Sequence, residues 1–265
     1  MKPLRILQLA VLVLVVFVGF SDNSRSETEP IAHWSFDERE GEIAYDSAEN
    51  NNHGYLKNNP VWLWSLNNLS YPMEPFVLSF DGEDDYVEVN HNDSLNLSIG
   101  DFTIASWINA NDCSSQCQIV KKGHFNKIEL EINNYVAKGV VTDNYYVESS
   151  FALSSSEWYF LVFTREGNDL NMYVNGKLNS STNAPTVDVN NNEILHIGKD
   201  SRYGQYFDGE IDDVKIWNKA LSAKEILELY HYSNDNNRDG ESSLPSISLI
   251  PALISIGLMA VYRRK

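Results

Sequence analysis

The amino-acid sequence predicts an all-β protein: a two-sheet antiparallel sandwich, then one short C-terminal helix and a separate transmembrane tail. Three features carry that expectation. Apolar and polar residues alternate with period two in short runs, as in Ala32, Trp34 and Phe36 against Ile31, His33 and Ser35. This is the pattern of a strand with one buried face. Turn residues punctuate the runs, most clearly where Met172-Tyr173-Val174 meets Asn175-Gly176, since both turn residues tolerate the positive φ of a type I′ hairpin. Helical periodicity is confined to one soluble segment. There Ser222 and Glu225 form a capping box, and Ile226, Leu229 and Tyr230 share one face.

In chain order, Lys2 and Arg5 precede an almost unbroken apolar run from Ile6 to Phe20. Residues 1–21 therefore read as a secretory signal peptide, with an uncleaved anchor as the alternative. Either way the bulk of the protein is exported. A polar leader covers residues 22–29, and the sandwich is expected over residues 30–232. Inside it, Ile128, Leu130 and Ile132 alternate with Lys127, Glu129 and Glu131, a half-exposed strand. Trp158 to Thr164 is apolar on both alternating sets, as a central strand buried on two sides would be. Phe80-Asp81-Gly82 followed by Tyr86-Val87-Glu88-Val89 reads as strand, acidic turn, strand. The helix is expected to cover one end of the sandwich.

Residues 233–243 are a polar linker without periodicity. Asp235-x-Asn237-x-Asp239-Gly240 matches the first half of an EF-hand-type loop, but Ser246 stands where the closing glutamate belongs. Residues 244–265 form the expected transmembrane helix, with Arg263-Arg264-Lys265 as its cytoplasmic end. No polar face exists for solvent, which excludes an amphipathic core helix. The protein is thus expected outside the cell, anchored to its surface.

Hydrophobic residues make up 43% and aromatic residues 12% of the chain, enough for a sizeable core and against global disorder. The net charge is −17. Setting aside Lys2, Arg5, Arg263, Arg264 and Lys265 leaves 15 basic against 37 acidic residues, about −22 for the part between. A field of that sign repels phosphate backbones, so no nucleic-acid partner is expected. Cys113 and Cys117 are the two cysteines, and in an exported chain the C-x3-C pair is expected to form a small loop disulfide. Short Asn-x-Ser/Thr sequons occur at Asn68, Asn92, Asn96 and Asn179, sites of glycosylation in a host with the machinery.

Three ordered blocks resemble the laminin-G-like, concanavalin A-like jelly-roll family. The first is Ala32-His33-Trp34-Ser35-Phe36-Asp37-Glu38 with Tyr45-Asp46-Ser47 and Asn52-His53-Gly54 behind it. The second is Leu78-Ser79-Phe80-Asp81-Gly82 through Val89, then Asp101-Phe102-Thr103-Ile104-Ala105-Ser106-Trp107-Ile108. The third is Gly209-Glu210-Ile211-Asp212-Asp213-Val214-Lys215-Ile216-Trp217. The likeness covers roughly residues 30–232 and implies a jelly-roll sandwich, not a ligand. It also implies one structural calcium ion where the first and last strands meet, with Asp37 and Asp212 as its ligands. The alternative for Asp212 is a cap on a turn or bulge. The far end of the chain resembles, in outline, the tripartite C-terminal sorting tails of prokaryotic surface proteins. Its Leu244-Pro245-Ser246-Ile247-Ser248 is not the sortase pentapeptide.

A glycoside hydrolase needs two facing carboxylates, which laminarinase-like enzymes of this fold place in a Glu-x-Asp-x-x-Glu strand. Here Lys215 follows Glu210 and Asp212 where the second Glu should be. The histidines are scattered, without His-x-x-x-His spacing, and no Gly-x-Ser-x-Gly elbow occurs. No catalysis is therefore expected. For binding, Trp62, Trp64 and Tyr71 lie in an irregular insert, with Tyr145, Tyr146 and Tyr203 in other polar loops. As a set they are the candidate binding edge for a glycan or an extracellular protein. Trp107, Trp158 and Trp217 sit in strand patterns and are assigned to the core. The expected function is a non-catalytic surface binding or adhesion module. The alternatives are a passive envelope protein and, third, a glycoside hydrolase of the same fold.

Overall fold

The structure is a computed structural model that describes residues 29–64, 76–124, 127–200 and 204–235. The expected signal peptide, transmembrane tail and nearly all of the linker lie outside these residues, as do Asn68, Tyr71 and Tyr203. No helix among the described residues is long and apolar enough to cross a membrane.

The strands follow the period-two runs. The first six are β1 (Ala32–Trp34), β2 (Ile43–Ala44), β3 (Gly54–Lys57), β4 (Val61–Trp64), β5 (Phe76–Asp81) and β6 (Tyr86–Val89). The middle of the chain supplies β7 (Phe102–Ala110), β8 (Gln116–Lys122), β9 (Ile128–Asn133), β10 (Val136–Val141) and β11 (Tyr145–Glu148). Then come β12 (Trp158–Glu166), β13 (Asp169–Val174), β14 (Lys177–Asn183) and β15 (Leu195–Ile197). A small hairpin, β16 (Lys199–Asp200) with β17 (Gln205–Tyr206), precedes β18 (Asp208–Trp217) and the helix α1 (Ala223–Asp235).

These strands pair into two antiparallel sheets. Sheet A runs β14-β13-β12-β7-β18-β5-β4, with β1 also paired to β18, and sheet B runs β11-β10-β9-β8-β15-β6-β3-β2. The faces between them form the core, including the fully buried Trp34, Phe36, Leu78, Phe102, Leu130, Phe163 and Ile211. Each such side chain contributes about 1.5–3 kcal/mol by leaving water. The hairpin expected at Asn175-Gly176 joins β13 to β14, with φ of 51° and 76° at its two turn residues. As expected, β12 is central, between β7 and β13.

Three expectations are corrected. Trp62 and Trp64 lie on a regular strand, β4 paired to β5, not in an irregular insert, and Tyr145 and Tyr146 lie on β11 paired to β10, not in a loop. The strand, acidic turn and strand around Gly82 form as expected, with β5 in sheet A and β6 in sheet B. The acidic turn is a crossover between layers, held by the Asp81 carboxylate, which accepts from the Glu83 and Asp84 N–H groups at 2.8 and 3.2 Å. The helix lies on the outer face of sheet A, not on an end. Tyr230 stacks on Trp107 with centroids 5.6 Å apart, and Ile226 joins a second apolar cluster with Ala105, Phe160, Val162 and Trp217. Trp107 and Trp217 are thus buried beneath a helix. The third correction concerns β9, whose polar face is buried, for reasons given below.

The capping box forms as the sequence implies. Ser222 N–H donates to Glu225 Oε2 at 2.6 Å, and Glu225 N–H donates to Ser222 Oγ at 3.3 Å. Ser222→Ala is expected to cost about 1 kcal/mol, read as a shifted denaturation midpoint at constant slope. An unchanged midpoint would mean that packing on Trp107 alone sets the helix.

Candidate functional site

The predicted aromatic set is divided by the fold. Trp62 and Trp64 lie on β4, the edge of sheet A, whereas Tyr145 and Tyr146 lie on β11, the edge of sheet B. Because β11 packs against β13 and β14, it sits below the opposite end of sheet A. The two pairs therefore do not share one edge. Within each pair one ring turns inward: Trp62 packs on the core and donates from Nε1 to Gly41 O at 3.0 Å, and Tyr145 also packs on the core. The other ring faces solvent. Trp64 is 56% exposed and meets Phe76 edge-on at 5.0 Å, and Tyr146 is 45% exposed with Lys138 Nζ 4.2 Å above its ring.

The outer face of sheet B carries charge that the sequence pattern had left in solvent. Register places Glu88, His196, Lys121 and Glu129 directly opposite one another on β6, β15, β8 and β9. Lys121 Nζ lies 2.6 Å from Glu129 and 2.8 Å from Asp200, and Lys127 Nζ lies 3.1 Å from Glu129 and 2.8 Å from Asp143. The hairpin β16–β17 folds over β8 and brings Asp200 down onto Lys121. Lys127, Glu129 and Glu131 are all buried: Glu129 meets Lys121, the residue the hairpin covers, while Lys127 is paired to Asp143 and Glu131 to Gln116 and Lys138. Gln116 Nε2 donates to Glu131, whose carboxyl is pushed up to about 7 by burial and then by the Glu129 charge. Burial, followed by the Lys199 charge, pushes His196 down to about 4. Glu129 and Glu131 are 2% and 4% exposed at their side chains. A raised carboxyl beside a second carboxylate has the chemistry of a general acid, but access is lacking here.

On β18, Asp213 sits in a bulge with φ of 52°, and its carboxylate meets His33 Nε2 at 2.7 Å and Lys215 Nζ at 3.1 Å. Burial opposes its charge, but Lys215 and then His33 more than offset this and hold it below the usual carboxylate range. Lys215, the residue standing in place of a second glutamate, is thus an ion-pair partner. Asp212 is buried, and its Oδ1 accepts the Asp213 N–H at 2.8 Å. With Trp34 opposite Val214, Asp37 and Asp212 both lie just past the end of the β1–β18 ladder. Carboxylates are the oxygen ligands a hard cation takes, and the Asp212 carboxylate also caps the bulge through the Asp213 N–H. Among the described residues, the one group of three acids close enough to share an ion is Asp81, Asp84 and Asp85, already engaged by the turn they build.

A cleft of about 120 Å³ opens where β3 begins and β6 ends, lined by residues 51–53, Tyr55 and residues 90–92. Gly54 opposite Val89 brings the two polar triplets together. Asp46 fixes the floor: its carboxylate accepts N–H bonds from His33, Ala48 and Asn52 at 2.8–2.9 Å. Asp46 N–H donates to His53 Nδ1 at 3.1 Å. Sequence reasoning missed this place, although Asn51-Asn52-His53 and Asn90-His91-Asn92 are visibly alike in composition.

Cys113 and Cys117 form the expected disulfide, with Cα atoms 5.5 Å apart, inside the usual span. It pins the turn between β7 and β8. The sequon asparagines on described residues each use Oδ1: Asn92 accepts from Ser94 N–H, Asn96 from Lys122 Nζ and Asn179 from Ser150 N–H.

The solved structures that this chain resembles share its architecture at low identity. The binding domain of Paraclostridial Mosquitocidal Protein 1 superposes with a TM-score of 0.63 at 16% identity, over 76% of this chain and 52% of that one. The binding domain of Botulinum Neurotoxin DC in complex with SialylT gives 0.60 at 16% identity, over 77% and 51%. The latter type of domain is also known bound to rat synaptotagmin II. The present chain thus spans about half the length of these toxin domains. Domain 4 of AbnA, a GH43 extracellular arabinanase from Geobacillus stearothermophilus in complex with arabinotriose, gives 0.61 at 17% identity over 76% of this chain and 98% of that one. No curated protein sequence matches the chain. A family model for the concanavalin A-like lectin/glucanases superfamily, Laminin_G_3, matches residues 81–227, more than half of the sequence and the greater part of both sheets. With two antiparallel sheets stacked as described, the chain belongs to the concanavalin A-like lectin/glucanase superfamily.

Proposed function

We propose that this sandwich is a non-catalytic binding or adhesion module held at the cell surface, recognising a glycan or an extracellular protein. The observation that carries the reading is a pair of solvent-facing rings on rigid strands, Trp64 and Tyr146, beside acids that are paired or buried. Exposed aromatic faces on a preorganised scaffold bind at little conformational cost. The carboxylates most like a catalytic pair, Glu129 and Glu131, are closed off by Lys121, Lys127, Lys138 and Gln116. The related folds add support, since one is solved with SialylT, one with arabinotriose and one with synaptotagmin II.

A glycan array probed with the full chain tests this, run with calcium and with chelator and paired with a screen of extracellular proteins. The expected result is selective binding that Trp64→Ala or Tyr146→Ala weakens about tenfold, roughly 1.4 kcal/mol. Silence on both panels would sink the reading and leave a passive envelope role. The calcium at Asp37 and Asp212 belongs to this proposal. At calcium 100 times above its dissociation constant, linkage adds about 2.7 kcal/mol. Chelation should therefore lower Tm in the wild type and leave Asp37→Asn unmoved, whereas equal melting with and without calcium removes the ion from the account.

A further inference from the structure

We infer that the cleft between residues 51–55 and 90–92 is a binding site for one ring of a neutral sugar. The inference rests on the binding-module reading and gives it a second, more specific location. The volume, about 120 Å³, is below the roughly 300–1,000 Å³ of pockets that enclose a drug-sized ligand. A single ring lying against the opening suits that size.

The lining chemistry selects among ligands. It contains no Asp, Glu, Lys or Arg; asparagine amides, two imidazoles and one phenol make it up. An amide holds a donor and an acceptor side by side, the pairing that vicinal hydroxyls require. Asn90 at the rim offers both, Asn51 keeps its Oδ1 because its Nδ2 donates to Glu49 O, and Asn92 keeps its Nδ2 because its Oδ1 accepts from Ser94 N–H. Asn52 is spent on Ile31 O and Ser94 Oγ. The imidazoles are already assigned roles by their other contacts. Because His53 Nδ1 accepts the Asp46 N–H, the ring proton resides on Nε2, a donor. His91 also carries its proton on Nε2, which faces Asp93 Oδ1 at 3.4 Å, and this leaves Nδ1 as an acceptor, buried with no hydrogen-bond partner among the described residues. A buried acceptor left unpaired costs about 1–3 kcal/mol, which a ligand hydroxyl would recover. Asn90 projects into solvent at the rim.

Aromatic faces complete the site. Tyr55 is 41% exposed within the lining, and Tyr45, 53% exposed, meets His53 edge-on at 5.2 Å. Such faces suit the C–H side of a sugar ring. The site is rigid, because the Asp46 carboxylate and Trp34 Nε1, which donates to Asn52 O at 2.7 Å, hold the 46–53 segment. Two rival occupants fit less well. A transition metal lacks a third His, Cys or acidic ligand here. An anionic sugar would meet no cation in the lining and the field of a chain at −17.

Isothermal titration of the full chain, in a detergent without a sugar headgroup, tests the assignment with neutral hexoses, pentoses and N-acetylhexosamines, and with sialyllactose as the charged counterpart. At least one neutral sugar should bind. Tyr55→Ala and Asn90→Ala, both at the surface, should each weaken it tenfold or more, while Leu178→Ala, an exposed change outside the cleft and outside the aromatic set, alters it less than twofold. Binding that survives both cleft variants but is lost in Trp64→Ala overturns the cleft and leaves the module reading standing. Preference for sialyllactose overturns the neutral-ligand assignment. No binding of any neutral sugar overturns the inference outright, and the array and protein screens then judge the module reading by themselves.

Discussion

Replacing Lys121 by methionine is expected to cost about 3–5 kcal/mol, more than most single changes at the surface of this protein. Lys121 is 1% exposed and lies between Glu129 and Asp200, both also buried. Two carboxylates facing one ammonium offset the cost of taking three charges from water only while all three are present. Removing the cation leaves two uncompensated anions under the β16–β17 hairpin, and Lys127 can relieve only Glu129. The loss should also be local at first, because the Asp200 ion pair is one of the ties of the hairpin to sheet B, beside the Lys199 and Tyr206 contacts with Tyr86. Urea titration reads the global loss, and amide exchange in residues 199–206 reads the local one. The triple variant Lys121→Met, Glu129→Gln and Asp200→Asn should recover most of the loss, since it removes the stranded charge. A triple variant no more stable than the single one would mean that the ammonium contributes by packing and not by compensation.

Glu131→Gln should stabilise the fold by about 3 kcal/mol at pH 8 and leave it unchanged at pH 4, the second large effect. The carboxyl titrates near 7 when folded, against 4.5 ordinarily, because burial and then the Glu129 charge disfavour its ionised form. Below pH 4.5 it is protonated in both states and carries no penalty. Between pH 4.5 and 7 the unfolded carboxyl ionises while the folded one stays protonated, so stability falls by about 1.4 kcal/mol per pH unit and levels off above 7, the loss then complete. Glutamine keeps the shape and the bond to Gln116 without the charge. His196 acts in the opposite sense. Held near 4 by burial and Lys199, it is neutral when folded, so stability is present above 6.5 and falls as pH drops toward 4. In the wild type the two windows overlap and largely cancel. Glu131→Gln should therefore expose the His196 slope, with stability declining on acidification between pH 6.5 and 4. A difference between variant and wild type that is the same at pH 4 and pH 8 would show that Glu131 does not titrate in this range.

The strands, the Asn175-Gly176 hairpin, the Ser222–Glu225 cap and the Cys113–Cys117 bridge were all legible in the sequence, because each is set by neighbours within a few positions. The polar residues of β9 show where that logic stops. Lys127, Glu129 and Glu131 alternate with apolar residues as an exposed face should, yet they are buried among partners from other strands and turns, and Lys121, which meets Glu129, is covered by Asp200 from 79 residues away. Alternation reports which residues share a face, not what covers it.

The same distinction applies to function. By itself the sequence determined a two-sheet sandwich with one soluble helix behind it, a strongly acidic surface and aromatic candidates, since composition and period-two patterning depend on the chain alone. Only the tertiary structure decided that Trp62 and Trp64 stand at the opposite edge from Tyr145 and Tyr146, and that the turn after Phe80 changes sheets. It also decided that Asn51-Asn52-His53 meets Asn90-His91-Asn92 across the start of β3. Those outcomes depend on pairing between residues far apart in the chain. Such pairing is chosen by how two whole faces bury each other, which no local window of residues contains.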